Sequence, residues 1–327
     1  KIARPAMAQQ DSFIDVYVDR ARSAAGRIVF PEGGDQRIQA AASRIVELGI
    51  AEVILLAGAD ELSELKGCTV IDPGASPTLE RYAQQYAAGP RSVSAAVAQR
   101  AVNKPLYFAG MMVRAGDAET MVAGIANPTR RVIEAARLCI GLSDGIKTPS
   151  SFFIMKPRSG LPMVFADCAV NVDPSSEQLA DIAIAAAASA EQLLTEKPRV
   201  AMLSFSTKGS ANHPHADKVI KAVELVREKS PGLLVDGDIQ ADAAIVPEVA
   251  ALKLGSGSDV AGRANVLIFP DLNAGNIAYK LVQHLGGADA IGPVLQGFKH
   301  PLADLSRGAT IDEVFETAVV TLAMIRQ

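Results

Sequence analysis

What most constrains this chain is an alternation that runs almost its whole length. Short apolar runs of strand length are separated by longer stretches with helical apolar spacing. "RIVFPEG" reads as a strand that leaves at Pro31, and "DQRIQAAASRIVELG" as a helix that stops at Gly49, a C′ glycine. "AEVILLAG", "CTVIDP" and "ETMVAG" read as three more strands. The helix "NPTRRVIEAARLC" follows, with Asn127 expected as N-cap and Pro128 at its first position. Consecutive parallel strands need crossovers, so this order predicts an α/β fold with a mainly parallel sheet. The pattern restarts near residue 149. "SSFFIM" and "PMVFAD" flank the turn "KPRSGL" and read as a hairpin. A long Ala-rich helix from about Ser175 comes next, then the strands "RVAMLSFS", "LLVDGDI", "ANVLIFPD" and "AIGPVLQG" with helices between them. The expected organisation is two α/β domains, residues 1–148 plus 297–327 and residues 149–296, with a site in the cleft between them. Ligands in such sheets bind beyond the carboxyl ends of strands. The stretches "PEGGD", "SFSTKGSAN", "PDLNAGN" and "LQGFKHPLADLSRG" mark those ends.

Composition excludes several function classes. The net charge is −4 and no block of Lys or Arg forms a nucleic-acid footprint; the absence of Trp leaves little to stack bases on. Cys68, Cys139 and Cys168 are scattered in apolar context without metal or redox spacing, which suits a reducing compartment and small buried side chains. His213 and His215 in "NHPHAD" read as a helix entrance rather than a metal pair. The opening "KIARPAMAQQDSFID" lacks the apolar core of a signal peptide. "DIAIAAAASAEQLL" is too short and too charged to span a bilayer. A cytoplasmic protein without membrane or nucleic-acid partners is expected.

No GxGxxG follows a strand, and no GxxxxGK[ST] is present. "STKGSAN" could hold a phosphate on backbone N–H groups, or leave Lys208 in solvent. "DLSRGATIDE", Asp304 to Glu313, is more informative. Thr310 and Glu313 have the spacing of a capping box, so a helix begins there with its positive end towards the preceding loop. Ser306 and Arg307 lie in that loop, where a guanidinium can fork onto a phosphate or an oxyanion. The plainer alternative is a surface Arg307 paired with Asp304.

The stretches "MLSFSTKGSA", "DGDIQADAAIVPEVA" and "VAGRANVLIFPDLNAGNIAYKLVQHLGGADAIGPVLQGFKHPLADLSRG" resemble the phosphate acetyltransferase family, also called phosphotransacetylases. The likeness extends upstream through "KPLYFAGMMVRAGDAETMVAG" and "SSFFIM" to "RIVFPEG", nearly the whole chain. The resemblance implies two α/β domains related to isocitrate and isopropylmalate dehydrogenases, with the site between them, and a homodimer. It implies exchange of acetyl-CoA plus phosphate with acetyl phosphate plus CoA by direct attack, with CoA as substrate and no metal or tightly bound cofactor. It assigns Ser306 to orienting the thiol or stabilising the transition state, and Arg307 to meeting its charge. A butyryl-type acyltransferase and a non-catalytic acetyl-CoA-sensing domain are the alternatives.

Three departures from the family pattern bear on the site. The usual Asp seven residues after the Ser is Glu313 here, preceded by Asp312; Glu313 is the base, Asp312 substitutes for it, or Glu313 only caps the helix. His284 stands where many members carry an Arg for CoA phosphates. In "AGIANPTRRVIEAA", Asn127 and Thr129 keep part of the pattern while the later Arg position is Glu134. Arg130, at the helix start, is the substitute candidate, against a solvated helix face. Arg91 in "YAAGPRS" matches another family arginine with the spacing off by one. Ser206, Lys208 and Asn276 lie in matched loops and are expected to line the cleft.

Overall fold

The computed structural model describes residues 13–325 except 59, 63 and 256. The opening stretch read as lacking a signal peptide lies largely outside the described residues, and "LGSGSD" is described only in part. The first half of the chain runs α1 (Asp15–Ala24), β1 (Arg27–Phe30), α2 (Gln36–Glu47), β2 (Glu52–Leu56), β3 (Cys68–Ile71), α3 (Leu79–Ala87), α4 (Ala95–Val102), α5 (Pro105–Ala115), β4 (Thr120–Ala123) and α6 (Thr129–Cys139). It continues with β5 (Ser150–Lys156), β6 (Met163–Ala166), α7 (Ser176–Leu193), β7 (Arg199–Leu203), α8 (Pro214–Lys229), β8 (Leu234–Ile239), α9 (Ala241–Ile245), α10 (Pro247–Leu254) and β9 (Val266–Ile268). Helix α11 (Leu272–His284), β10 (Asp289–Gln296), β11 (Leu302–Asp304) and α12 (Ile311–Leu322) complete it.

The described strands join in one sheet, ordered β3-β2-β1-β4-β11-β10-β5-β6-β9-β7-β8. Strands β1 to β4 and β11 are mutually parallel. β10 runs antiparallel to both β11 and β5, and β5 pairs antiparallel with β6 as the expected hairpin. Beyond it, β6, β9, β7 and β8 are parallel again, now in the opposite sense. The restart read near residue 149 falls at the start of β5, which runs in the same sense as β1 to β4; β6 is the first strand along the chain to run the other way.

Strand side chains alternate between the two faces. In β1, Ile28 and Phe30 enter one core while Val29 enters another. In β9, Val266 and Ile268 join the first core and Leu267 a third. The first core is continuous under α1, α2, α12, α7 and α8 and crosses the middle of the sheet. The opposite face is covered in two separate packs, α3 to α6 over one half and α9 to α11 over the other. Burial on both faces is why most of these strands are unbroken apolar runs. Buried Ala180, Ala183, Ala186 and Ala190 let α7 lie close to the sheet.

Local signals behave as their chemistry requires. Asp35 caps α2 by accepting from Arg37 N–H at 2.8 Å, and Gly49 ends the turn beyond it at φ +61°. Ser175 and Gln178 form a capping box on α7. His213 caps α8, its Nδ1 accepting from His215 N–H, so the pair is a helix entrance. Cys139 and Cys168 are buried and Cys68 is half-buried on β3. Among the described residues no helix is long and apolar enough to cross a membrane.

Candidate active site

Asp304 pairs with Ala123 across the parallel β4–β11 ladder, so the loops after both strands leave side by side. Leu305 N–H donates to Ala123 C=O at 2.6 Å and locks them together. Gly124 is required here. Its φ is +116°, and a Cβ would lie 2.3 Å from Asp304 Oδ1 and 2.6 Å from Leu305 N.

Two carboxylates brace the β4–α6 loop. Glu32, just past β1, accepts from Gly124 and Ile125 N–H through Oε2 (2.9 and 3.0 Å), and from Ala126 N–H and Asn127 Nδ2 through Oε1 (both 2.8 Å). Asp304 accepts from the Thr129 hydroxyl at 2.5 Å. Asn127 was expected as the N-cap of α6, but its amide is drawn to Glu32 instead. The cap position falls to Pro128, without a side-chain bond, and Thr129 is the first helical residue.

The β11–α12 loop carries Ser306 and Arg307. Ser306 Oγ accepts from Gly308 N–H at 3.3 Å, and Ala309 N–H closes a turn on Ser306 C=O at 2.9 Å. Arg37 of α2 reaches across to donate to the carbonyls of Arg307 (2.9 Å) and Ala309 (3.1 Å), itself held by Asp35. The loop backbone is thus fixed, while no described residue bonds or pairs with the Arg307 guanidinium. The alternative of an Arg307–Asp304 pair is not what the structure shows: Asp304 is only 2% exposed and turned to Thr129.

Thr310 and Glu313 form the expected capping box: Thr310 Oγ1 accepts from Glu313 N–H at 3.2 Å, and Glu313 Oε2 from Thr310 N–H at 2.8 Å. Asp312 pairs with Arg44 at 2.8 Å, whose guanidinium stacks on Phe315. That pair is solvent-exposed and joins the start of α12 to α2.

These loops enclose a cavity of about 370 Å³. Gly124, Asn127, Thr129, Asp304, Ser306 and Arg307 line it from one half of the sheet; Phe153, Ala169, Tyr279 and Pro293 line it from the other. Tyr279 stacks on Phe153 with ring centroids 4.1 Å apart. Its hydroxyl is pushed above its ordinary pKa by burial, then by Cys168 and Glu313; Glu313 itself is exposed and is not among the residues that line the cavity. The Asp304 carboxyl is raised to about 7, first by burial and further by Glu32, with the Thr129 hydrogen bond opposing.

The other expected residues divide. Arg130 and Arg91 line an adjacent groove of about 670 Å³ with Arg131 and Arg137. Arg91 and Glu134 pair across it at 3.4 Å, so the acidic residue at the family's arginine position meets a cation of its own. Asn276 does not line the cavity itself; it donates to Cys168 C=O at 3.0 Å, beside the Ala169 wall. His284 is exposed in the last turn of α11, beyond Tyr279. Ser206 and Lys208 are not brought to the cavity. Ser206 is buried and accepts from Ala211 N–H at 3.2 Å, and Lys208 pairs with Asp236 on β8.

Sequence reasoning missed the supporting groups Glu32, Arg37 and Asp167. Asp167, past β6, accepts from Ser151 and from the N–H groups of Ala169, Val170 and Asn171, fixing the far wall. The available signal was an acidic residue directly after an apolar strand, in "VFPE" and "VFAD".

Comparison with known proteins shows the family. The phosphate acetyltransferase of Acetivibrio thermocellus is 43% identical over 323 residues, covering 95% of this chain and 97% of that protein. A phosphotransacetylase structure from Streptococcus pyogenes matches with a TM-score of 0.88 at 37% identity, over 95% of this chain and 98% of its own. The EutD phosphotransacetylase from Staphylococcus aureus matches with a TM-score of 0.87 at 35% identity, over 96% and 99%. Residues 12–322 match the family described as phosphate acetyl/butaryl transferase, and the chain belongs to that family.

Proposed function

We propose that this enzyme transfers an acetyl group reversibly between CoA and inorganic phosphate by direct attack in a ternary complex. The observation that carries the reading is an unengaged guanidinium, Arg307, beside the Ser306 hydroxyl on a cavity that also receives the first turn of α6. Acetyl phosphate sits with its phosphate towards Arg307, Thr129 and one of the two amide hydrogens of Asn127. The CoA thiol, with an ordinary pKa of about 8.5, is barely ionised at neutral pH and needs a base. Glu313 fills that role, because only one of its oxygens is given to the cap by the bonds described above and Asp312 is held by Arg44. As the thiolate adds, Ser306 donates to the carbonyl oxygen and Arg307 meets the charge spreading over carbonyl and leaving phosphate. Holding both reactants together supplies much of the acceleration, so no covalent enzyme intermediate is needed.

CoA is a substrate, and no tightly bound cofactor takes part. Its phosphates follow the groove of Arg91, Arg130 and Arg131, which opens from the same helix start as the cavity. His284 contributes a weaker contact or none. Residues 1–148 plus 297–327 and 149–296 form the two domains, split where β10 meets β11. The enzyme works as a cytoplasmic homodimer.

The relatives named phosphate acetyltransferase favour acetyl over butyryl, and Phe153, Tyr279 and Pro293 give the acyl group an apolar wall. Initial rates of phosphate-dependent thiol release from acetyl-CoA and butyryl-CoA test this, with acetyl-CoA expected to be faster. Faster butyryl transfer would overturn the acyl assignment. Acetyl-CoA binding without any phosphate-dependent release would replace the enzyme by a sensor.

A further inference from the structure

Asp304 is a buried carboxyl with one oxygen too many for its surroundings. Oδ2 has the Thr129 hydroxyl, but Oδ1 is buried without a hydrogen-bond partner. It lies against Gly124 so closely that a Cβ there would come within 2.3 Å. A charged carboxylate in this place would leave an anionic oxygen wholly unsatisfied, whereas a neutral carboxyl leaves only a carbonyl oxygen there. The ionisable groups on the elements around it are Glu32 after β1, Asp312, Glu313 and Glu316 on α12, Arg130, Arg131, Glu134 and Arg137 on α6, Asp289 on β10 and Arg307 in its own loop; β4 carries none. Glu32 is the one that pushes on Asp304.

We propose that Asp304 is a proton-holding positioning residue, whose neutral form turns the Thr129 hydroxyl towards the cavity as a donor to the phosphate group of the substrate. The short Asp304–Thr129 contact works in either direction. When Asp304 is ionised, Thr129 must spend its one proton on Oδ2 and presents only lone pairs to the cavity. When Asp304 is neutral, its own O–H donates to Thr129 Oγ1, and the Thr129 proton is released to a phosphate oxygen. Thr129 lines the cavity beside Arg307, so the donor it gains points where the substrate anion sits. No bond is made or broken; one proton stays on Asp304 and one hydroxyl changes its partner.

This inference rests on the transferase reading, and its test separates the two. The Michaelis constant for acetyl phosphate is measured at saturating CoA from pH 6 to pH 8 in the intact wild-type enzyme, Asp304→Asn, Thr129→Val and Thr129→Ser, with turnover recorded separately. For the wild type the donor-competent fraction falls through about pH 7, so the constant should rise about tenfold across the range. Asp304→Asn offers a permanent N–H to Thr129 and should keep the constant low and independent of pH. Thr129→Val should raise it at pH 6 and flatten it, and Thr129→Ser should restore the wild-type profile. An Asp304→Asn enzyme that keeps the wild-type rise, or a Thr129→Val enzyme with an unchanged constant at pH 6, overturns the proposal. If Asp304→Asn does not fold, the Val and Ser variants decide alone. A wild type without any acetyl transfer would instead remove the transferase reading.

Discussion

At the scale of single residues, Arg307 and Asp304 show opposite uses of charge. Arg307 is held by its backbone and left free at its guanidinium, the state of a group prepared for a ligand. Arg307→Ala should lower turnover by ~10² or more, because the lost donor meets charge that develops only in the transition state. A loss confined to the Michaelis constant for phosphate would limit Arg307 to ground-state binding. Asp304 is held at its side chain and costs stability once ionised. Its carboxyl stays protonated in the folded protein to about pH 7, whereas in the unfolded chain it ionises near its ordinary 3.8. Between those values the folded state binds the extra proton, so stability drains as pH rises through that window. Asn carries no such proton. Asp304→Asn should therefore gain on the wild type in unfolding free energy between pH 5 and pH 8, by on the order of 3 kcal/mol, read as a widening gap between their unfolding midpoints. Midpoints that keep a constant difference across that range would contradict a buried neutral acid.

At the scale of elements, α12 joins structure to chemistry in one turn. Its capping box satisfies helix N–H groups with the residue proposed as the base. Glu313→Gln keeps an oxygen for Thr310 N–H and removes the basic carboxylate. The expected outcome is an unchanged melting temperature with turnover reduced at least ~10-fold; near-full activity would leave Glu313 as a cap alone. This box was legible because both its residues lie within one helical turn. Most strands were legible too, as apolar runs ended by Pro, Gly or a small residue. β11 was not, since three residues carry no periodicity of their own and gain strand character only between β4 and β10. The bracing carboxylates were hidden for the same reason. Glu32 finds its partners 92 to 95 residues on, and Asp304 finds Thr129 across 175 residues. A reading of neighbours in sequence offered Arg307 to Asp304, three positions away, because nothing local revealed that the carboxyl points inwards. The family resemblance supplied Ser306 and Arg307, and the coordinates added what holds them.

At the scale of the whole molecule, the sheet explains why one cavity collects residues from both halves of the chain. Strand direction reverses at the β11–β10–β5–β6 centre, and there the loops after β4, β6 and β11 come together around Phe153 and Pro293. Of the expected loops, those after β1 and β9 give no residue to the cavity lining, and the one after β7 lies towards the far edge of the sheet beside β8, where Lys208 is occupied by Asp236. Addition of CoA and phosphate should slow amide exchange at the start of α6 and along α11 while leaving β5 and β10 as protected as before. Equal protection gained across the whole sheet would argue for a global tightening instead.

The unequal covering of the two faces has a mechanical consequence. One face is bound by apolar contacts that pass from end to end, like the spine of a book, while the helices on the other face are two covers, each of which gives residues to the wall of the cavity. A substitution in the core of one cover is therefore felt by the other chiefly through the spine they share.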